Sequence, residues 1–130
     1  MLEFAIAWPV CLLLVAGAIQ LSVWSAESQA VRQAALAGAR SGTAVGAGAD
    51  VAAAVTMAAL GRSLIGAQPR RWCPVEGGPE PAVWVCTGST VTFVEVRVGG
   101  RVPALLPLLP GGSGLPVAAH AVIAREAFRP

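Results

Sequence analysis

The chain has 130 residues, enough for one small domain and an anchor. Hydrophobic residues make up 55% of it and charged residues only 12%, about half the charged fraction of a typical soluble domain. The net charge of +2 is small and no basic stripe with interleaved aromatic residues occurs, which argues against a nucleic acid as a partner.

The first predicted element is an apolar helix. No charged or strongly polar side chain occurs from Phe4 to Ile19, and only two polar residues interrupt the run before Trp24. As a helix, residues 4–24 would reach about 31 Å, close to the hydrocarbon thickness of a bilayer. The sequence therefore predicts a membrane-spanning segment.

Two residues distinguish this segment from an ordinary membrane span. Glu3 places a carboxylate at its start, where lipid makes an unpaired charge costly. Pro9 removes a backbone hydrogen bond inside the helix, which membrane helices tolerate where neighbours compensate. The combination favours a helix that resides in a membrane and later leaves it for a protein assembly.

The same helix is predicted to continue to residue 46, so that residues 1–46 form the first region. Small residues recur at a spacing of four along its second half, at Ala26, Ala30, Ala34, Gly38, Gly42 and Gly46. A ridge of this kind lets helix backbones approach closely, and we interpret it as a packing surface for assembly. Codon bias is the alternative explanation, because alanine is abundant throughout the chain.

Residues 47–66 form the second predicted region, a break followed by a short helix. Asp50 is the predicted N-cap of a helix from Val51 to Ile65. Gly66, followed by Pro69, is the predicted stop signal.

Residues 67–130 are predicted to form a small β-rich extracytoplasmic domain. It begins with a loop over residues 68–81, which contains several prolines, glycines and arginines. A strand over residues 82–87 follows, and Gly88 indicates a hairpin turn. Residues 90–98 alternate, with Thr92 and three valines on one face, which is typical of a half-buried strand.

The end of the domain is harder to assign from its residues. Gly99-Gly100 is interpreted as a tight turn, and residues 107–116 as a loop rich in proline and glycine. Residues 117–128 fit either a short helix or a strand, and we favour a strand that closes the sheet. The predicted fold is therefore α+β, with a long N-terminal helix, a second short helix and a small antiparallel sheet.

Cys73 and Cys86 lie in the polar half of the chain and are predicted to form a disulfide, which implies an oxidising location. Two free thiols in a cytosolic domain are the alternative. The single histidine, His120, is distant from them and no CxxC motif occurs, so no metal site is expected. His120 also lacks a recognisable nucleophile partner, so we expect neither an enzyme nor a cofactor.

Three groups of residues form a recognisable pattern: the Glu3-Phe4-Ala5 opening, Pro9 in the apolar run, and the small residues from Ala34 to Arg40. With them, residues 1–44 resemble the TadE-like domain of tight-adherence (Tad) pilus systems, a branch of the type IV pilin superfamily. The resemblance implies cleavage of a leader by a prepilin peptidase. It also implies insertion into the inner membrane and extraction by pilus assembly machinery into a filament.

In related pilins, an acid at the fifth mature position pairs with the N-terminal amine of a neighbouring subunit. By resemblance, Glu3 is that acid, although it is third in this sequence, and Phe4 belongs to the same assembly segment. A carboxylate near a helix N-terminus is favoured by the macrodipole, and a neighbouring ammonium group would neutralise it.

The predicted function is a structural pilin-like subunit that polymerises with copies of itself. It would be inserted in the cytoplasmic membrane before assembly and would lie on the cell surface afterwards. The alternative is a non-polymerising single-pass membrane protein, or a minor pilin, that acts as an envelope or secretion accessory. That alternative explains the apolar segment and the disulfide, but neither Glu3 nor the small-residue ridge.

Overall fold

The structure is a computed structural model that describes residues 2–61, 68–104 and 114–125, with side chains described from residue 6 onwards. Its two helices are α1 (Leu2–Gly42) and α2 (Ala49–Leu60), and its four strands are β1 (Arg70–Arg71), β2 (Val83–Ser89), β3 (Phe93–Val102) and β4 (Leu115–Ala124). A 3-10 turn, Pro74–Glu76, lies between the first two strands. The predicted α+β class is confirmed.

Helix α1 has 41 residues and is therefore about 62 Å long. It is continuous through Pro9. It ends at Gly42 rather than at the predicted residue 46, because Gly46 has a φ of 79° and lies in the following turn. The Arg125 guanidinium donates hydrogen bonds to the carbonyl oxygens of Ala47, at 3.0 Å, and Gly42, at 3.5 Å. This cation stabilises the carbonyl end of the helix.

Helix α2 turns back along α1, since Ala52 lies against Gly42 and Thr56 lies against Gly38. The prediction that Asp50 is the N-cap is wrong. Gly48 occupies that position without a side-chain cap, and Asp50 lies in the first turn. There its carboxylate pairs with Arg71 at 2.5 Å, which is a tertiary contact rather than a local one. The helix ends at Leu60 with Gly61 at the C-cap, so the predicted end at Ile65 is wrong. The predicted stop signal at Gly66 lies outside the described residues.

The sheet has the strand order β1-β2-β3-β4. Strands β2, β3 and β4 are antiparallel neighbours, whereas β1 runs parallel to β2, so the sheet is mixed rather than purely antiparallel. The strand predicted at the end of the chain is confirmed as β4 up to residue 124. The loop predicted over residues 68–81 contains β1, whose pairing depends on a partner strand more than ten residues away.

The predicted hairpin between β2 and β3 forms, but its turn lies at residues 90–92 rather than at Gly88. The turn predicted at Gly99-Gly100 is wrong, and both glycine sites lie inside strands. Gly88 is part of β2, which pairs with β3 as far as Ser89. Gly99 and Gly100 are part of β3, where Gly99 lies opposite Trp84. A Cβ on Gly99 would overlap the Trp84 indole, so the glycine provides close packing rather than a turn.

The core lies between the helices and one face of the sheet. Its sheet side consists mainly of valines that alternate along the strands: Val83, Val85, Val94, Val96, Val98, Val102 and Val117. Its helix side consists mainly of small residues of α1 and α2, with Val31 and Leu60 as the larger members. Small helix residues allow the backbone to approach the valine face, which buries apolar area in a short chain.

Candidate assembly and membrane surface

The first half of α1 carries an exposed apolar surface. Leu14 is 68% exposed, Leu21 is 63% exposed and Ile6 is 63% exposed, and most of the large apolar side chains between them are exposed as well. Among the described residues, α1 is the one helix long and apolar enough to cross a membrane, and only 6% of its most apolar window is buried. A patch of this size is unstable in water, so lipid or protein must cover it.

The remaining predicted assembly residues of this segment lie at or near the N-terminus. The backbone of Glu3 and Phe4 belongs to α1, but their side chains lie outside the described residues. Pro9 is exposed within the helix. The role of Glu3 in assembly therefore stays a prediction.

The small-residue ridge is divided between two environments. Ala34, Gly38 and Gly42 are buried, and a Cβ on Gly42 would lie 2.9 Å from both Ala52 and Val94 of the same chain. Ala26 is exposed and Ala30 is half-buried. Gly46 lies beyond the end of the helix. The middle of the ridge thus packs within the subunit, and only its first two members lie on the helix and remain available to a neighbour.

Polar residues mark the junction between the exposed segment and the domain. Gln20 is 6% exposed and Glu27 is 8% exposed, on the helix face that continues into the core at Val31. Within the described part of the chain, Glu27 Oε2 is buried without a hydrogen-bond partner. Glu27 lies beyond the apolar run that ends at Trp24, and burial raises the pKa of its carboxyl group.

This junction was missed from the sequence. The signal that could have revealed it is the seven-residue spacing of Gln20 and Glu27, which puts them on one helix face. Val31 and Ala34 follow Glu27 by four and seven residues and continue the same face. A buried carboxylate oxygen without a hydrogen-bond partner destabilises a fold.

The far face of the sheet contains the disulfide and the polar contacts of Glu95. Cys73 and Cys86 are joined by a disulfide with their Cα atoms 4.8 Å apart, which holds the segment after β1 to β2. Glu95 accepts hydrogen bonds from Arg97 at 2.5 Å and from His120 at 2.8 Å. The bond from Arg97, with a further one from His120, lowers the pKa of the Glu95 carboxyl group.

The His120 imidazole on this face is in contact with the Glu95 carboxylate. No group of three or more potential metal ligands occurs within residues 2–61, 68–104 and 114–125. The arrangement is that of a surface ion pair, which contributes little to stability.

Comparison with known proteins gives one finding about the N-terminal helix. Residues 1–40 match a family model described as TadE-like protein, which confirms the resemblance over nearly all of α1. No curated protein and no solved structure matches the chain. The matched family is associated with pili and is structural rather than catalytic, and an apolar N-terminal helix is typical of membrane insertion or of a signal sequence.

Proposed function

We propose that this chain is a pilin-like subunit of a Tad-type pilus. It inserts into the cytoplasmic membrane through residues 4–24 and then polymerises through the same helix into an extracellular filament. The observation that carries the proposal is the exposed apolar half of α1, which is continuous with a small disulfide-bonded domain. Lipid covers this surface before assembly, and neighbouring copies of the helix cover it afterwards.

Burial within the subunit narrows the assembly surface. Ala34 is buried in the core, and Gly38 and Gly42 pack against the chain's own α2 and β3, so these three residues are unavailable to neighbours. Self-packing then uses the segment from the N-terminus to about Ala30. Glu3 sets the register there by pairing with a neighbouring N-terminal amine, after a prepilin peptidase has removed a leader.

Replacing Glu3 with alanine tests the role in assembly. We expect the variant to remain in the membrane fraction after alkaline extraction but to be missing from fibres sheared from the cells. Glu76→Ala is the matched control, because Glu76 is an exposed acid in the 3-10 turn of the domain. Sheared fibres with a normal content of the Glu3→Ala variant would contradict the registry role.

The second candidate is a non-polymerising single-pass membrane protein, or a minor pilin, that serves as an envelope or secretion accessory. It is supported by the same exposed segment, which lipid alone can cover, and by the internal packing of the small-residue ridge. Fractionation of wild-type cells separates the two candidates. A filament subunit is abundant in sheared fibres, whereas the accessory protein stays with the membranes.

A further inference from the structure

A polar groove lies beside α1, directly after its apolar segment. It encloses about 300 Å³. One wall consists of Trp24, Ser25, Ser28, Gln29 and Arg32 of α1, and the other is formed by the first residues of β4, from Pro116 to Ala118. The α1 wall presents hydroxyl, amide and guanidinium groups, and none of the lining residues described here is a carboxylate. The groove is therefore suited to an anion.

The geometry of the groove is held by contacts between the helix and the strand. The Trp24 indole Nε1 donates a hydrogen bond to the carbonyl oxygen of Pro116 at 3.1 Å, which ties the two walls together. The Gln29 amide donates to Ser25 Oγ at 3.5 Å. Arg32 makes no ion pair with any residue in the described ranges. Its positive charge thus remains available to a ligand.

The position of the groove along α1 identifies the source of the anion. When Trp24 lies at the edge of the hydrocarbon, Ser25 and Ser28 lie about 1.5 Å and about 6 Å beyond it along the helix axis. This is the depth of the headgroup layer, which extends about 5–8 Å on each side of the hydrocarbon. Arg32 is about 12 Å beyond Trp24, and helix side chains lean towards the N-terminus, which brings its guanidinium back towards that layer.

We propose that this groove binds the phosphate of an anionic phospholipid headgroup. Arg32 supplies the charge, and Ser25 and Ser28 donate hydrogen bonds to the phosphate oxygens. The inference rests on the membrane insertion that is part of the proposed function. The groove would make a specific lipid contact that holds the subunit in the bilayer. This contact must be released when the helix leaves the membrane for a filament.

Native mass spectrometry of the full chain in mild detergent tests this site, with phosphatidylglycerol, phosphatidylcholine or inorganic phosphate added. We expect the protein to retain phosphatidylglycerol in preference to phosphatidylcholine. The Arg32→Gln variant should retain about fivefold less phosphatidylglycerol than the wild type. Ser28→Ala gives a smaller loss in the same direction. Arg40→Gln is the matched control, because Arg40 is an exposed arginine on the same helix outside the groove.

Three results would overturn the site. Equal losses in Arg32→Gln and Arg40→Gln would show a general charge effect, and equal retention of the two lipids would remove the headgroup preference. Displacement of the lipid by equimolar inorganic phosphate would assign the groove to a free anion. Flotation with phosphatidylcholine vesicles separates this inference from its premise, since a chain that fails to float contradicts membrane insertion itself. Circular dichroism confirms that each variant is folded.

Discussion

Replacing Gly38 with alanine tests whether the small-residue ridge packs inside the subunit. In an isolated helix this change is favourable by up to about 1 kcal/mol, because glycine has the larger backbone entropy when unfolded. In the folded protein, the new Cβ would overlap Thr56 Oγ1 and would lie 2.8 Å from the carbonyl oxygen of Ala52. The carbonyl is part of the α2 backbone and can move only if the two helices separate.

The expected loss of stability in Gly38→Ala follows from these contacts. The buried Thr56 hydroxyl donates to the Ala52 carbonyl oxygen at 2.7 Å, so rotating it away loses a hydrogen bond. That loss costs about 1 kcal/mol, and overpacking a close helix contact costs about 2 kcal/mol. After subtraction of the helix-propensity gain, we expect Gly38→Ala to lower the free energy of unfolding by about 2 kcal/mol.

Urea unfolding of the full chain in detergent micelles, followed by tryptophan fluorescence, measures this change. Gly17→Ala is the control, because Gly17 lies in the same helix with nothing within 4 Å of an added Cβ. The double variant Gly38→Ala/Thr56→Ala should show a coupling of about 1 kcal/mol, since it removes the overlapping hydroxyl. A Gly38→Ala protein as stable as the wild type would refute the internal packing and would return the ridge to the assembly surface.

Two further predictions concern the buried carboxylate and the disulfide. Glu27→Gln should raise the free energy of unfolding at pH 7 by about 1 kcal/mol, because it removes a buried carboxylate oxygen that has no partner among the described residues. The pKa of Glu27 is raised above 4.5 in the folded state, so the folded protein binds more protons and wild-type stability falls as pH rises from about 4.5 through the folded pKa. Urea unfolding at several pH values should therefore show that Glu27→Gln is more stable than the wild type only above this pH range. A stability difference that does not depend on pH would contradict the burial of a charged Glu27. The Cys73→Ser/Cys86→Ser variant should lose about 3 kcal/mol in the same assay without reductant, because the bridge restricts the unfolded chain. Cys11→Ser, which alters the exposed free cysteine of α1, should leave stability unchanged, and an equal loss there would contradict a specific role of the bridge.

Several elements could be predicted because their signals are local. The apolar run after Glu3 predicts a long helix, and α1 is continuous over the whole of it. The alternation around Val94, Val96 and Val98 predicts a strand with one buried face, and those three valines are buried in β3. In both cases the period of apolar residues depends only on near neighbours in sequence.

Other features could not be predicted because they depend on residues far apart in the chain. Gly99-Gly100 has the composition of a turn, yet both glycines lie in β3, where Gly99 makes room for the Trp84 ring. Asp50 is of a residue type that is common at N-caps, yet its carboxylate binds Arg71. Local composition allows each alternative, and only the pairing of distant strands and helices selects one.

The sequence by itself determined that this protein has an apolar N-terminal helix of membrane-spanning length and a small β-rich domain. The period of the hydrophobic residues and the spacing of the glycines specify which surfaces are apolar and which carry small side chains. They do not specify what covers those surfaces. Only the tertiary structure decided that α2 covers Gly38 and Gly42 while most side chains of residues 6–24 stay exposed, because burial within a chain depends on which elements the connecting turns bring together.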